Sequence, residues 1–424
     1  MSVGLAGLGI PASWRWLPLK RAVLSINRGS APEYVDDGPV WAVSQAANQP
    51  EGIDWSRARF HAFAGNPLNL KGFLRKGDVL LNSTGRGTLG RVGYFSETPD
   101  GRPAMADGHV TRVRVSPDVL DSRYAYYYLS SEPFQHYIYS ALIVGATNQI
   151  ELVGERLASA SIPVPSIEEQ RRIADFLDAQ TGRLDQVRAS RARVHSLLMM
   201  KRERVIEQLI GAEQNGEDLI PLKHLVEAVT VGIVVTPAAW YVDGSGVPAL
   251  RGINVRPGKI DPRDLVRISH EGHLVHRKSR LRSGDLVVVR TGQAGAAAVV
   301  TSEFDGANCI DLVIVRPGVS LVPKFAEYLL NSSYAKRRVA EFAVGSIQSH
   351  FNVAAMKAMP VPRKSPSQQQ RIVAEIDRAV QPIDEAVSLM QQQDKLLAER
   401  RKALIAAAVT GQIDVPTASG VDLA

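Results

Sequence analysis

Two pairs of short segments in this 424-residue chain combine residue types that can contact nucleic-acid bases. One pair is Asn82-Ser83-Thr84-Gly85-Arg86 and Arg290-Thr291-Gly292-Gln293. The other is Gly145-Ala146-Thr147-Asn148-Gln149 and Gly345-Ser346-Ile347-Gln348-Ser349-His350. Arginine suits the acceptors of guanine, Asn and Gln suit adenine, and hydroxyls serve either. Small residues between them let a backbone approach a groove. Taken singly, each segment is also what an ordinary turn looks like. The chain carries 50 Lys and Arg against 43 Asp and Glu, a formal charge of +7. Such a surplus favours an anionic partner, and it also fits a merely basic soluble protein.

Residues that would cut or modify a substrate are not grouped in any familiar way. No GxxxxGK precedes Ser or Thr, and no His-Glu-x-x-His occurs. No lysine has an acid two positions before it, and there is no Asn-Pro-Pro or Asp-Pro-Pro. The chain is therefore expected to be no enzyme, with neither cofactor nor metal of its own. Gly85-Arg86-Gly87-Thr88-Leu89-Gly90 has the spacing of a dinucleotide loop. Arg91-Val92-Gly93-Tyr94-Phe95 after it reads as a strand rather than the required helix, so a turn between strands is expected. His270, His273 and His276 have a ligand-like spacing but sit among Lys and Arg, which suits a solvated loop better than a metal. The aromatic run Tyr124, Tyr126, Tyr127 and Tyr128 reads as a helix packed on a sheet. A single cysteine, Cys309, excludes a disulfide framework and suits a reducing compartment. No apolar run is long enough to span a membrane, and no secretory leader is evident, so a cytoplasmic location is expected.

The elements that carry the polar segments occur twice. Leu74-Arg75-Lys76-Gly77-Asp78-Val79-Leu80-Leu81 recurs as Leu281-Arg282-Ser283-Gly284-Asp285-Leu286-Val287-Val288. Tyr128-Leu129 is matched to Tyr328-Leu329, and Ile162-Pro163-Val164-Pro165 to Met359-Pro360-Val361-Pro362. Gln170-Arg171-Arg172-Ile173 is matched by Gln369-Gln370-Arg371-Ile372. Such ordered matches, about 200 residues apart, indicate a tandem duplication. Each copy has a mixed α/β part and then a helical part.

Ser166 with Glu169, and Ser365 with Gln368, are capping boxes, and Pro366 suits a first helical position. A 3–4 spacing then runs Ile173, Leu177, Gln180, Leu184, Val187, Arg191, Val194, Leu198, Lys201, Val205 in the first copy. The second copy repeats it from Ile372 to Leu404. Each stripe needs a partner, and the other copy is the economical one. Gly182 and Pro382 predict a kink in each helix. Antiparallel pairing would relate the two mixed domains by a pseudo-two-fold axis.

The segment Ile162 to Ala174, with Leu177-Asp178 and Leu184-Asp185, resembles a conserved region of type I restriction–modification specificity subunits. Met359 to Asp384 resembles it again, with Asp377 and Asp384 in the matching places. The Gly77-Asp78 and Gly284-Asp285 blocks, and Leu250-Arg251-Gly252-Ile253-Asn254, resemble motifs of that family's target recognition domains. The resemblance implies an α+β fold. Two mixed α/β target recognition domains are separated by two long helices that pair as an antiparallel coiled coil, with pseudo-two-fold symmetry. The expected domains are 1–165, 166–213, 214–363 and 364–424.

The resemblance implies a DNA sequence-specificity role, each recognition domain reading one half of a split, asymmetric site while the helices set the spacer. Expected partners are double-stranded DNA and two methyltransferase subunits docked on the helices, with or without restriction subunits. S-adenosylmethionine and ATP would belong to those partners. The expected DNA-contacting residues are Ser83, Thr84, Arg86, Asn148, Gln149, Arg251, Asn254, Arg290, Thr291, Gln293, Gln348, Ser349 and His350. Two departures stand out: Pro382 is expected to break a helix the family keeps continuous, and Ser44 stands where the second copy has Arg251. The competing reading is a duplicated adaptor that binds protein and not DNA.

Overall fold

A computed structural model of the chain describes residues 9–50, 52–85, 87–145, 150–213, 218–292, 294–343 and 352–415. Two compact units result. One comprises Met1–Ser190 with Gln392–Ala424, the other Arg191–Gln391. Each contains a mixed α/β domain and a stretch of both long helices.

In the first unit a four-stranded sheet runs in the order Val23–Arg28, Val110–Val115, Val79–Asn82, Val92–Tyr94, with every neighbouring pair antiparallel. A second sheet places Val40–Val43 parallel to Ala104–Ala106. The apolar run Val79–Asn82 is buried on both faces. Val79 and Leu81 pack with the tyrosines of the helix Ser122–Ser130, while Leu80 packs with Val43 and Ala106. Alternate residues of a strand point to opposite faces, so a strand buried on both sides needs a continuous apolar run. The second unit repeats this order as Val226–Val231, Leu312–Pro317, Leu286–Val289, Ala297–Val299, with Val247–Leu250 parallel to Asn308–Cys309. The duplication read from the sequence is thus a duplication of topology.

The helical repeats form two 44-residue helices, Ile167–Ile210 and Pro366–Val409. Within each unit their segments run antiparallel. Ile206 and Ile210 pack with Ile376 and Val380 in one unit, and Leu177 packs with Ile405 and Val409 in the other. Asp384 pairs with Arg202 at 2.7 Å, and Asp185 with Arg401 at 3.6 Å. Asp185 and Asp384, like Arg202 and Arg401, are 199 positions apart, so one contact is made twice with the copies exchanging roles.

Four expectations need correction. Both helices run on through Gly182 and Pro382, so the break expected at Pro382 does not occur. Proline removes one ladder bond, and Pro382 lies on the exposed face of its helix. The predicted stripe is buried or partly buried at Ile173, Leu177, Leu184, Arg191, Leu198 and Val205 and at Ile376, Ile383, Met390 and Leu397, but it does not hold at every position. Val187 and Val194 are 47% and 48% exposed, whereas Arg188, His195 and Arg202 are partly buried. The inner face steps from Leu177 to Thr181 rather than to Gln180 and so takes in polar residues that a search for apolar ones passes over. The capping box is reciprocal in the second copy, where Ser365 N–H donates to Gln368 Oε1 and Gln368 N–H to Ser365 Oγ. In the first copy Ser166 Oγ accepts from Glu169 N–H, but the Glu169 carboxylate takes the indole N–H of Trp14 at 3.0 Å. Finally, the helix Ser122–Ser130 corresponds to Pro323–Asn331, 201 positions on. That register matches Tyr127, not Tyr128, with Tyr328.

Candidate nucleic-acid interface

The recurring motif residues hold the domains together. Asp78 and Asp285 are buried. Arg114 grips Asp78 through two N–H groups at 2.7 and 2.8 Å, and Arg316 grips Asp285 at 2.7 and 2.9 Å. Each carboxylate also accepts a backbone N–H, from Arg75 or Arg282, which closes the turn that launches the central strand. Buried carboxylates need such complete satisfaction, and taking away one partner of a pair like this costs about 3–5 kcal/mol.

Gln170 and Gln369 are fully buried. Gln170 accepts from Asp121 N–H and donates to the carbonyls of Val119 and Pro165. Gln369 does the same with Val322, Ser320 and Lys364. Tyr127 donates to Asp178 at 2.7 Å, and Tyr328 donates to Asp377. Burial pushes both phenols up, and the neighbouring carboxylates push the same way. The helix motif thus clamps each mixed domain to its long helix. Sequence reasoning missed these roles, although a buried glutamine recurring at one place in both copies was a usable signal.

This frame fixes the ends of the central strands, where the candidate residues sit. A methyl on Gly29 would lie 2.0 Å from the Ala106 carbonyl oxygen, and one on Gly232 would lie 2.5 Å from that of Cys309. Glycine at both places lets the first strand of each sheet cross closely behind the parallel pair. The residues just past the strand ends then gather at one corner of each domain.

In the first unit Ser83 is buried, and its hydroxyl bonds Thr111. Thr84 Oγ1 bonds Nδ1 of the exposed His109 at 2.8 Å. Nearby, Asp107 accepts the His109 N–H at 2.8 Å, and burial raises its carboxyl. In the second unit Arg290 pairs with Asp311 at 2.5 Å, and Thr291 is exposed. Arg251 donates through Nη2 to the Asp264 carbonyl at 2.7 Å. Asn254 is buried. It accepts from Arg251 N–H and donates to the carbonyls of Asp261 and Arg263. Ser83 and Asn254 therefore shape their loops. Arg86, Asn148, Gln149, Gln293, Gln348, Ser349 and His350 lie outside the described residues.

Gly85, Gly87 and Gly90 have positive φ and lie between the antiparallel strands Val79–Asn82 and Val92–Tyr94, so the GxGxxG segment is a turn between strands. The histidine triplet differs from the expected loop. Ser269 caps a short helix, His270–Val275, with its hydroxyl accepting from Gly272 N–H. His273 bonds Asn308 while the His276 ring stands edge-on to Trp240. Among the described residues no group of three His, Cys, Asp or Glu could hold a metal, and no helix is long and apolar enough to cross a membrane.

Residues 66–189 match the family model of the type I restriction modification DNA specificity domain. The chain is similar to the type I restriction enzyme EcoBI specificity subunit of Escherichia coli, 21% identical over 303 residues, covering 65% of this chain and 62% of that one. It is also similar to the StySPI specificity subunit of Salmonella potsdam, 24% identical over 180 residues, 41% of this chain and 38% of that one. The chain spans less than two thirds of the length of these relatives. In fold it is similar to a chain solved in work on complex assembly and conformational transition of the type I R-M system. There the TM-score is 0.70 at 19% identity, over 95% of this chain and 99% of that one.

Proposed function

We propose, from the premise that the chain belongs to the family of type I restriction enzyme specificity subunits, that it selects the DNA sequence on which a type I complex acts. Residues 1–165 and 214–363 are the two readers, each taking one half of a split, asymmetric site. The helical regions 166–213 and 364–424 set the spacer and receive two methyltransferase subunits. The chain has no catalytic role, and the complex works in the cytoplasm. S-adenosylmethionine and ATP are bound by the partners.

One observation carries this reading. The same strand-end corner is built twice on the same frame, yet it ends in Ser83 and His109 in one unit and in Arg290 and Asp311 in the other. A repeated scaffold with unlike polar tips suits a reader of two unlike half-sites, because frame residues position while tip residues specify. Docking on the helices is supported by exposed apolar side chains there: Val194, Leu197 and Met200 in one unit, Val187 and Leu396 in the other. Apolar side chains gathered on a helix surface mark a partner's footprint.

Exchange of residues 214–363 for the equivalent region of a relative tests the reading. Sequencing methylated adenines in cells carrying the exchanged chain and its methyltransferase should show one half of the target changed and the other kept. A change in both halves, or in neither, refutes it. A protein-binding adaptor would instead show no salt-dependent affinity for duplex DNA.

A further inference from the structure

Three segments of the second mixed domain run parallel and end side by side. Val247–Leu250 pairs parallel with Asn308–Cys309, and a parallel bridge between Ile233 and Ile310 adds the chain that continues from Val226–Val231. Backbone bonds lock the three ends together. Ile310 N–H donates to the Leu250 carbonyl, and Asp311 N–H to that of Ile233. The chain that leaves this edge is apolar on both sides. Val234 and Val235 follow Ile233 and are 48% and 72% exposed, and Ile253, just past Leu250, is 56% exposed. The outer two segments flank the Ile310–Asp311 link, so they are two strand spacings, about 10 Å, apart.

The valine pair is held in place. Thr236, next along the chain, has a left-handed backbone with φ of 39°, which a β-branched residue keeps only where its surroundings enforce it. Trp240 supplies the enforcement. Its carbonyl accepts Ser269 N–H at 2.9 Å, its ring meets His276 edge-on, and a methyl on Gly272 would lie 2.9 Å from its Cε3. The turn after Val235 is thus fastened to the helix His270–Val275. Stored strain of this kind collects where a ligand is gripped. The matching positions of the first unit hold Ala31, Pro32 and Ala46. Two features fix the match. Asp107 N–H donates to Val43 as Ile310 N–H does to Leu250, and Gly29 and Gly232 cross behind equivalent carbonyls. The frame repeats, and the branched apolar tips do not.

Two small apolar tips with Arg251, Arg290 and Asp311 around them do not make the charge-poor centre of a protein contact. A base-pair edge in the major groove has that mixture: polar donors and acceptors, and a single apolar group, the C5-methyl of thymine. A separation of about 10 Å spans about three base-pair steps of a duplex. We propose that Val234 with Val235, and Ile253, are two methyl-reading tips of the second recognition domain, each packing on the C5-methyl of a thymine in the half-site that domain reads. The first domain, with Ala31 and Ala46 at its tips, has no branched side chain to place there. The inference rests on the DNA-specificity reading above and adds the chemical group that this domain recognises.

The test uses the full chain assembled with its methyltransferase subunits. Exchange of residues 214–363 first identifies the half-site this domain reads. If the exchange changes neither half, the DNA-specificity reading itself falls, and this inference falls with it. Each thymine of the identified half-site, on both strands, is then replaced by uracil, which removes the C5-methyl and keeps every hydrogen-bonding group. Competition binding of the wild type should weaken about fourfold at each of two thymines, the effect of losing one buried methyl-sized group. V234T/V235T keeps the branched shape and puts a hydroxyl at the tip. It should bring the penalty at one of these thymines below about 1.5-fold, and I253T should do so at the other. Uracil in the other half-site should cost the variants what it costs the wild type. Fewer than two penalised thymines overturns the proposal, and so does a penalty that persists in the variants. Variants that weaken binding to thymine and uracil duplexes alike also overturn it, because the tips would then be a general wedge. The same holds if the variants release the methyltransferase subunits and leave the uracil penalty unchanged, since the tips would then be a protein contact.

Discussion

Truncating Gln170 to alanine removes three hydrogen bonds at once from the junction between the first mixed domain and its long helix. The side chain is fully buried, accepting from Asp121 N–H at 2.8 Å and donating to the Val119 and Pro165 carbonyls at 3.0 Å each. A methyl cannot replace any of them, so one N–H and two carbonyls lose their partner. Each stranded group costs about 1 kcal/mol or more, and Q170A should weaken the junction by about 3 kcal/mol. A loss of that size raises the population of locally opened molecules about 100-fold. Hydrogen exchange followed by mass spectrometry reads this directly, with amide exchange over residues 119–130 accelerating by that factor. Q369A should do the same to residues 320–331, because Gln369 makes the equivalent three bonds. An acceleration below about 5-fold in both variants would refute the reasoning, since it would mean that water or repacking satisfies the stranded groups and the glutamine is no clamp.

Two further outcomes follow from the same kind of accounting. A methyl on Gly182 meets no heavy atom within 4 Å, so G182A should raise stability by about 1 kcal/mol through helix propensity alone. The urea midpoint measures it, and a fall would show that the helix needs glycine there. Cys309 is fully buried, and burial pushes its thiol up and so disfavours the thiolate. Iodoacetamide should leave the native chain unlabelled and label it in urea, and rapid labelling of the native chain would contradict the packing around the strand Asn308–Cys309.

The duplication was legible in the sequence because it is written in residue types the fold cannot exchange. Gly77-Asp78 and Gly284-Asp285 recur since a buried carboxylate with an arginine grip closes the same turn twice. Ser365 and Pro366 marked a helix start because capping is local chemistry. The long helices were legible for the same reason, through a period that extends over many turns. The inner face of those helices was legible only in part. Apolar residues at Val187 and Val194 satisfied the expected spacing but are exposed, whereas Arg188, His195 and Arg202 are partly buried. A long-range ion pair such as Arg202 with Asp384 leaves no periodic trace.

The candidate site divides in the same way. Residue type brought Ser83 and Arg290 forward, and a resemblance to a family motif brought Arg251 and Asn254. Burial and hydrogen bonding then separated Ser83 and Asn254, which are consumed in shaping loops, from the two arginines held at strand ends. Asp311 and His109 drew no notice in the sequence, because each matters only through the strand that ends opposite it. What the sequence determined by itself was everything set by neighbours within a few residues or by repetition: caps, turns, helix extent and the two copies. What tertiary structure decided was which polar groups are spent on one another, since that depends on strands and helices meeting from distant parts of the chain.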